Sequence, residues 1–68
     1  MQGKVKFYHE TKGYGFITDN EDGTDYYFHI SNVENKERLF KQNEVSFDIQ
    51  EAKKNPGTME ACNIVKHS

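Results

Sequence analysis

Aromatic residues recur at every second position in two short segments of the sequence, K-G-Y-G-F-I at 12–17 and D-Y-Y-F-H-I at 25–30. If both segments are β-strands, the side chains of alternate residues point to the same face. Four rings then share one surface: Tyr14, Phe16, Tyr27 and His29. Every nucleobase has a π-face, and a base stacked on such a ring contributes ~1–3 kcal/mol to the binding of a single strand. The pattern therefore indicates a stacking surface for unpaired bases.

Lysines lie beside these rings, but the chain as a whole is not basic. Lys4, Lys6 and Lys12 are in or next to the first predicted strand, where their ammonium groups would meet the phosphates of a bound strand. Residues 19–25 carry four carboxylates, and the net charge of the 68-residue chain is −2. A protein that binds mainly through phosphates needs a positive surface. We therefore expect stacking to dominate and affinity to depend weakly on salt.

Strands joined by short turns make up most of the chain. Two-residue alternation predicts five strands: Gly3 to His9, Tyr14 to Thr18, Asp25 to Ile30, Glu44 to Gln50 and Thr58 to Lys66. Ser31 and Glu34 have the spacing of a capping box, which predicts one short helical turn after the third strand. In the loop that follows, Leu39 and Phe40 are expected to cover one end of the barrel. We expect a single all-β domain spanning residues 1–68, a five-stranded antiparallel barrel whose closure protects its edges.

Alternation also assigns the core. The inward set is predicted to be Val5, Ile17, Tyr26, Phe28, Val33, Val45, Phe47, Ile49, Cys62 and Ile64. Simple alternation puts Val5 and Phe7 on the same face, yet this assignment needs Val5 inside and Phe7 outside. A bend or bulge in the first strand would reconcile the two. A shift of the pattern by one residue would instead bury Tyr27 and expose Phe28.

Three motifs together resemble the cold-shock domain family. K-G-Y-G-F-I and D-Y-Y-F-H-I are similar to that family's two ribonucleoprotein-type motifs, and G-K-V-K-F-Y-H at 3–9 is similar to its first strand. The resemblance implies an OB-type barrel that binds single-stranded RNA and DNA and acts as an RNA chaperone, with a role in regulating transcription or translation. It implies that bases stack on Phe7, Tyr14, Phe16, Tyr27 and His29. The polar contacts around them would be Lys6, Lys12 and Asp25.

The chain departs from the family at several positions of this surface. Phe7 stands where the family has Trp, and Ile30 stands where an aromatic residue is common. Both changes reduce the ring surface left for stacking, so they predict weaker binding. His9 replaces the usual Asn and is not counted among the contacts. In the two longer loops, Phe40 is the candidate for a further ring contact and Lys54 for a phosphate contact.

Other chemistry is not expected. The spacing of metal ligands is absent from the three histidines and the cysteine, His9, His29, His67 and Cys62. The carboxylates at 19–25 lack the calcium-loop pattern. No nucleophile–base pair or small-molecule pocket is evident. Neither a cofactor nor catalysis is therefore predicted. One cysteine and no long apolar run favour a cytoplasmic monomer without a membrane partner. Two rivals stay open: an OB barrel that binds a protein through the same rings, and an initiation-factor-like OB domain that binds structured RNA.

Overall fold

Five strands form a closed barrel in the computed structural model, which describes residues 1–67. The strands are β1 (Gln2–His9), β2 (Tyr14–Asp19), β3 (Asp25–His29), β4 (Glu44–Glu51) and β5 (Met59–His67). Their order around the barrel is β1-β2-β3-β5-β4, and β4 closes onto β1. The predicted all-β class and the number of strands are confirmed, and every predicted strand end lies within one residue of the observed end.

One pair of neighbouring strands departs from the antiparallel prediction. β3 and β5 run parallel where Tyr27 faces Glu60, whereas the other four neighbouring pairs are antiparallel. Strand directions cannot alternate all the way round a closed ring that contains an odd number of strands. A five-stranded barrel therefore requires at least one parallel pair, so the predicted antiparallel barrel is confirmed except at this junction.

Two 3₁₀ turns follow β3 in place of the single predicted helical turn, at Ile30–Asn32 and Glu34–Lys36. The predicted capping box does not form. Instead, His29 caps the first turn, and its Nδ1 accepts a hydrogen bond from the backbone N–H of Ser31 at 3.1 Å. Asn35 and the residue after it have φ angles of 59° and 49°. Two consecutive left-handed residues cannot continue a right-handed helix, so the helical segment stays short.

One cluster of buried side chains fills the barrel. Its members are Val5, Ile17, Phe28, Val33, Leu39, Val45, Phe47, Ala61 and Ile64. Tyr26 and Ile49, also predicted to point inward, pack against this cluster but are only partly buried. Leu39 is 2% exposed and belongs to the core, whereas the adjacent Phe40 is 51% exposed. Of the two residues expected to cover the end of the barrel, only Leu39 does so.

β1 contains the bulge that the predicted core requires. Val5 pairs with Ile17 and Phe7 pairs with Phe16, so Lys6 is an extra residue between two consecutive pairs. An extra residue in one strand reverses the faces of the residues beyond it. Val5 accordingly points into the core with 1% of its surface exposed, and Phe7 points outward with 38% exposed. The bulge thereby places Phe7 on the outer face.

Candidate functional site

The outer face of β1–β3 carries six rings. Cross-strand pairing arranges them in two rows of three: Phe7, Phe16 and Tyr27 in the first row, and His9, Tyr14 and His29 in the second. We call this surface the six-ring face. Five of its rings were predicted from sequence, and His9 was missed. Its position could have been deduced, because residues 10–13 form the turn between β1 and β2 and the residues on either side of that turn must face each other.

The first row forms a continuous apolar surface. The ring centroid of Phe16 lies 5.5 Å from that of Phe7 and 5.9 Å from that of Tyr27. Phe7 and Tyr27 are 38% and 37% exposed, and Phe16 between them is partly buried. Each outer ring of the row therefore packs against Phe16 in the absence of a ligand.

The second row is attached to the first through Tyr14. The Tyr14 ring stacks on Tyr27 with centroids 5.8 Å apart and meets Phe7 edge-on at 6.1 Å. The Tyr14 ring also lies almost parallel to that of His9, with an interplanar angle of 9° and centroids 5.9 Å apart. His29 pairs with Tyr14 across β2 and β3 and is exposed. The two rows therefore form one aromatic surface across three strands.

Asp25 is held at the edge of the six-ring face by two hydrogen bonds. Lys6 Nζ donates to Asp25 Oδ2 at 2.8 Å, and Thr18 Oγ1 donates to Asp25 Oδ1 at 2.6 Å. The hydrogen bond from Lys6, followed by that from Thr18, lowers the pKa of the Asp25 carboxyl below its ordinary value of 3.8. Asp25 therefore stays ionised at neutral pH and neutralises part of the positive charge of Lys6.

A groove extends the surface beyond β3. It has a volume of about 590 Å³ and runs from Tyr27 and His29 to the loop between β4 and β5, where Lys53 and Lys54 line it. Lys54 was the lysine predicted to contact phosphate. The structure places it in this groove, on the same side of the barrel as the last rings of both rows.

Three other predicted site residues lie around the six-ring face and not within it. Ile30 is partly buried and packs against the core, and Lys12 is exposed in the turn before β2. Phe40 projects from the loop before β4, with the guanidinium of Arg38 at 4.8 Å and the ammonium of Lys66 at 5.7 Å from its ring centroid. Within residues 1–67, no ring–ring contact joins Phe40 to the six-ring face.

The other reactive side chains do not assemble a second site. Cys62 is buried, and burial raises the pKa of its thiol, with smaller contributions from the charges of Asp48 and Glu60. The thiol therefore stays protonated at neutral pH and is a poor nucleophile. Among the described residues, no three His, Cys, Asp or Glu side chains are grouped to hold a metal ion. No helix within residues 1–67 has the length and apolar character needed to cross a membrane.

Comparison with known proteins gives one consistent family. The family model of the ‘Cold-shock’ DNA-binding domain matches residues 1–67. The cold shock protein CspV of Vibrio cholerae is 36% identical over 67 residues, which cover 96% of this chain and 91% of that protein. A cold shock-like protein of Thermotoga maritima is 47% identical over 58 residues, covering 82% and 86%. The cold shock-like protein CspC of Bacillus cereus is 38% identical over 68 residues, covering 97% and 98%.

Proposed function

The chain belongs to the ‘cold-shock’ DNA-binding domain family, and from that premise we propose that it binds single-stranded RNA and DNA on the six-ring face and acts as an RNA chaperone. The observation that carries this proposal is the first row of rings, whose two outer members, Phe7 and Tyr27, remain exposed while each contacts the central Phe16. Exposed aromatic clusters are uncommon on a soluble surface without a ligand. A row of partly exposed rings across three neighbouring strands suits a row of unpaired bases.

Each predicted contact has a proposed role at this surface. Bases stack on Phe7, Tyr14, Phe16, Tyr27 and His29. The polar contacts are Lys6, Lys12, Asp25 and Lys54, with the lysines facing phosphates. Ile30 and Phe40 supply apolar contacts at the margin, where a strand leaves the rings. Ile30 has no ring on which a base could stack, whereas an aromatic residue is common at this position in the family, so the expected affinity is lower.

Chaperone action follows from the size of the stacking energy. A base on a protein ring gains ~1–3 kcal/mol, and a stacked step of a DNA duplex is worth about 1.4 kcal/mol. Because the two are comparable, bound protein shifts the equilibrium of a weak hairpin toward the open strand. A long duplex has too many steps for one small barrel to open. The protein is therefore expected to melt marginal secondary structure and to leave stable helices intact.

Charge makes a smaller contribution. Lys6 is already paired with Asp25 at 2.8 Å, so a phosphate near it gains less than it would from a free ammonium group. Each counterion released from a single strand contributes about 0.7 to the slope of log K against log salt concentration. With few free lysines at the surface, the magnitude of the slope is expected to stay below about 3.

The test is fluorescence anisotropy of an end-labelled, unstructured pyrimidine heptamer, as RNA and as DNA, at two salt concentrations. An external label is needed because the chain contains no Trp. We expect saturable binding with a shallow salt slope, and Phe16→Ala should weaken it at least tenfold. The matched control is Val65→Ala, which shortens an exposed apolar side chain on β5. Circular dichroism confirms that both variants are folded.

The same titration, repeated with a labelled structured RNA, separates the rival functions. A folded protein that binds neither heptamer would overturn the proposal and direct attention to a protein partner for the rings. Preference for a structured RNA over the heptamer would favour the initiation-factor-like alternative. A slope well above 3 would show that phosphates dominate and that stacking does not. We also propose that the protein acts as a cytoplasmic monomer, and sedimentation of the complex at micromolar concentration tests the stoichiometry of one barrel per heptamer.

A further inference from the structure

His9 belongs to the six-ring face but has no role among the predicted contacts. It is the last residue of β1, is exposed, and pairs with Tyr14 at the start of β2. Its imidazole lies almost parallel to the Tyr14 ring, at 9° and 5.9 Å between centroids. It extends the aromatic surface by one ring beyond Tyr14.

The turn after β1 fixes the orientation of this ring. The backbone N–H of Lys12 donates to His9 Nδ1 at 3.3 Å, and the backbone N–H of Gly13 donates to the His9 carbonyl at 2.8 Å. Because Nδ1 is an acceptor, the neutral imidazole carries its proton on Nε2. His9 therefore offers a flat face and one N–H donor, held in place by backbone groups and by Tyr14.

The charges near His9 suit the approach of a nucleic-acid backbone. The neighbouring Glu10 would repel phosphate, but its Oε2 lies 2.7 Å from Arg38 Nη2, which neutralises it. Lys12 in the same turn is exposed and adds a positive charge to this end of the surface. A strand that leaves Tyr14 toward the turn therefore meets a ring, a donor and a cation.

We propose that His9, together with Tyr14, forms a further nucleotide subsite in which one additional base stacks on the imidazole. The ligand is the unpaired base of a single strand already held on the other rings, and the Nε2–H can donate to a carbonyl oxygen or ring nitrogen of that base. This inference rests on the proposed function of the six-ring face. It adds one nucleotide to the length of strand that the barrel covers, at the end near the turn between β1 and β2.

The test compares oligothymidylates of three to eight nucleotides binding to wild type and to three variants. His9→Ala removes the ring, His9→Asn keeps a polar side chain without a ring, and His9→Phe keeps a flat ring without the donor. His67→Ala is the matched control, since His67 is an exposed imidazole at the far end of β5 that lines a different cavity beside Gln2 and Gly3. Anisotropy gives Kd at each length, and thermal melting checks the fold of each variant.

We expect wild type and His9→Ala to bind the shortest strands equally and to differ more in Kd as the strand lengthens. For the heptamer the difference in Kd should reach about fivefold, which corresponds to the lower end of the free energy that one stacked base contributes. His9→Phe should recover most of this difference, and His9→Asn should not. Equal affinity of wild type and His9→Ala at all lengths would overturn the proposal. A constant loss at every length would do so too, because it would mean that His9 only supports Tyr14.

Failure of this subsite and failure of the proposed function give different results. If Phe16→Ala abolishes heptamer binding while His9→Ala leaves it unchanged, the six-ring face binds the strand and the subsite is absent. If neither variant changes binding, the strand binds elsewhere and both proposals fail. If His9→Asn binds the heptamer as tightly as His9→Phe does, the subsite is also refuted, because no ring is then required.

Discussion

Replacing Gly15 with alanine should damage both the barrel and the binding surface, although it removes no ring. Gly15 lies in β2 between Tyr8 of β1 and Phe28 of β3. A Cβ atom at this position would overlap the carbonyl oxygen of Phe7 and would lie 2.9 and 3.0 Å from two carbons of the Phe28 ring. Phe28 is fully buried, so neither neighbour can move without disturbing the core or the ladder.

The size of the effect follows from these contacts. Overpacking a well-packed core typically costs about 1–3 kcal/mol, and a clash with backbone lies at the upper end because a backbone carbonyl cannot rotate away. For a domain of this size, about 3 kcal/mol corresponds to a fall in Tm of roughly 12–24 °C. Total stability at 68 residues is on the order of 3–10 kcal/mol, so the variant stays largely folded at low temperature only if the wild type lies above the lower end of this range, which circular dichroism at 10 °C checks first. The displaced Phe7 carbonyl should also move the Phe7 ring away from Phe16.

Thermal denaturation followed by circular dichroism, together with heptamer anisotropy at 10 °C, measures both consequences. Gly23→Ala is the control, because Gly23 has φ = +75° in the turn between β2 and β3 and a Cβ there would meet nothing within 4 Å. That variant should lose only about 1 kcal/mol from backbone strain and keep its affinity. If Gly15→Ala melts no lower than Gly23→Ala, β1 and β2 do not approach as closely as described, and the reasoning fails.

Three further outcomes are expected. Leu39→Ala should lower the free energy of unfolding by ~2–5 kcal/mol because it empties part of the core, whereas Phe40→Ala should change it by less than about 0.5 kcal/mol; urea titration measures both. Asp25→Asn should reduce the change in the free energy of unfolding between neutral and acidic pH. The depressed pKa of Asp25 means that its ion pair with Lys6 stabilises the fold above the unfolded-state pKa and is lost as pH falls through the folded-state pKa. The urea midpoints at pH 6 and pH 3 should therefore differ less in the variant than in the wild type, with the remaining difference due to the other carboxylates, including Asp22, whose pKa is also lowered. Lys54→Ala should reduce the salt slope of heptamer binding by about 0.7.

Alternation of side chains was enough to predict most of the fold and the central rings. The period of two assigns Ile17 and Phe28 to the core and Phe16 and Tyr27 to the opposite face, and the structure has this arrangement. Alternation within one strand gives no information on the relative direction of strands far apart in sequence, so the parallel contact between β3 and β5 was missed. Counting strands around a closed ring would have supplied it.

The loop after β3 shows where local patterns were insufficient. The spacing of Ser31 and Glu34 satisfies a capping box, but the imidazole of His29 already accepts the N–H of Ser31, so a competing local hydrogen bond sets the turn. Leu39 and Phe40 are neighbours of similar hydrophobicity, and nothing in their types decides which one points inward. Only the path of the loop across the end of the barrel decides it, and that path depends on contacts far apart in sequence.

The core and the proposed binding surface lie on opposite faces of the same strands, so both depend on the register of those strands. Substitutions on the two faces should nevertheless have different effects. Replacing Phe7 or Tyr27, each more than one third exposed, removes less buried surface than replacing a core residue does and should reduce binding more than stability. Replacing Phe28, which stacks against Tyr8 beneath them at 6.0 Å, should unfold the barrel. The bulge at Lys6 is where the two requirements meet, because it allows Val5 to fill the core and Phe7, only two residues later, to lie on the six-ring face. A register shift of one residue at this point would therefore disrupt both the core and the six-ring face, so the proposed function depends on the geometry of a single irregular position in β1.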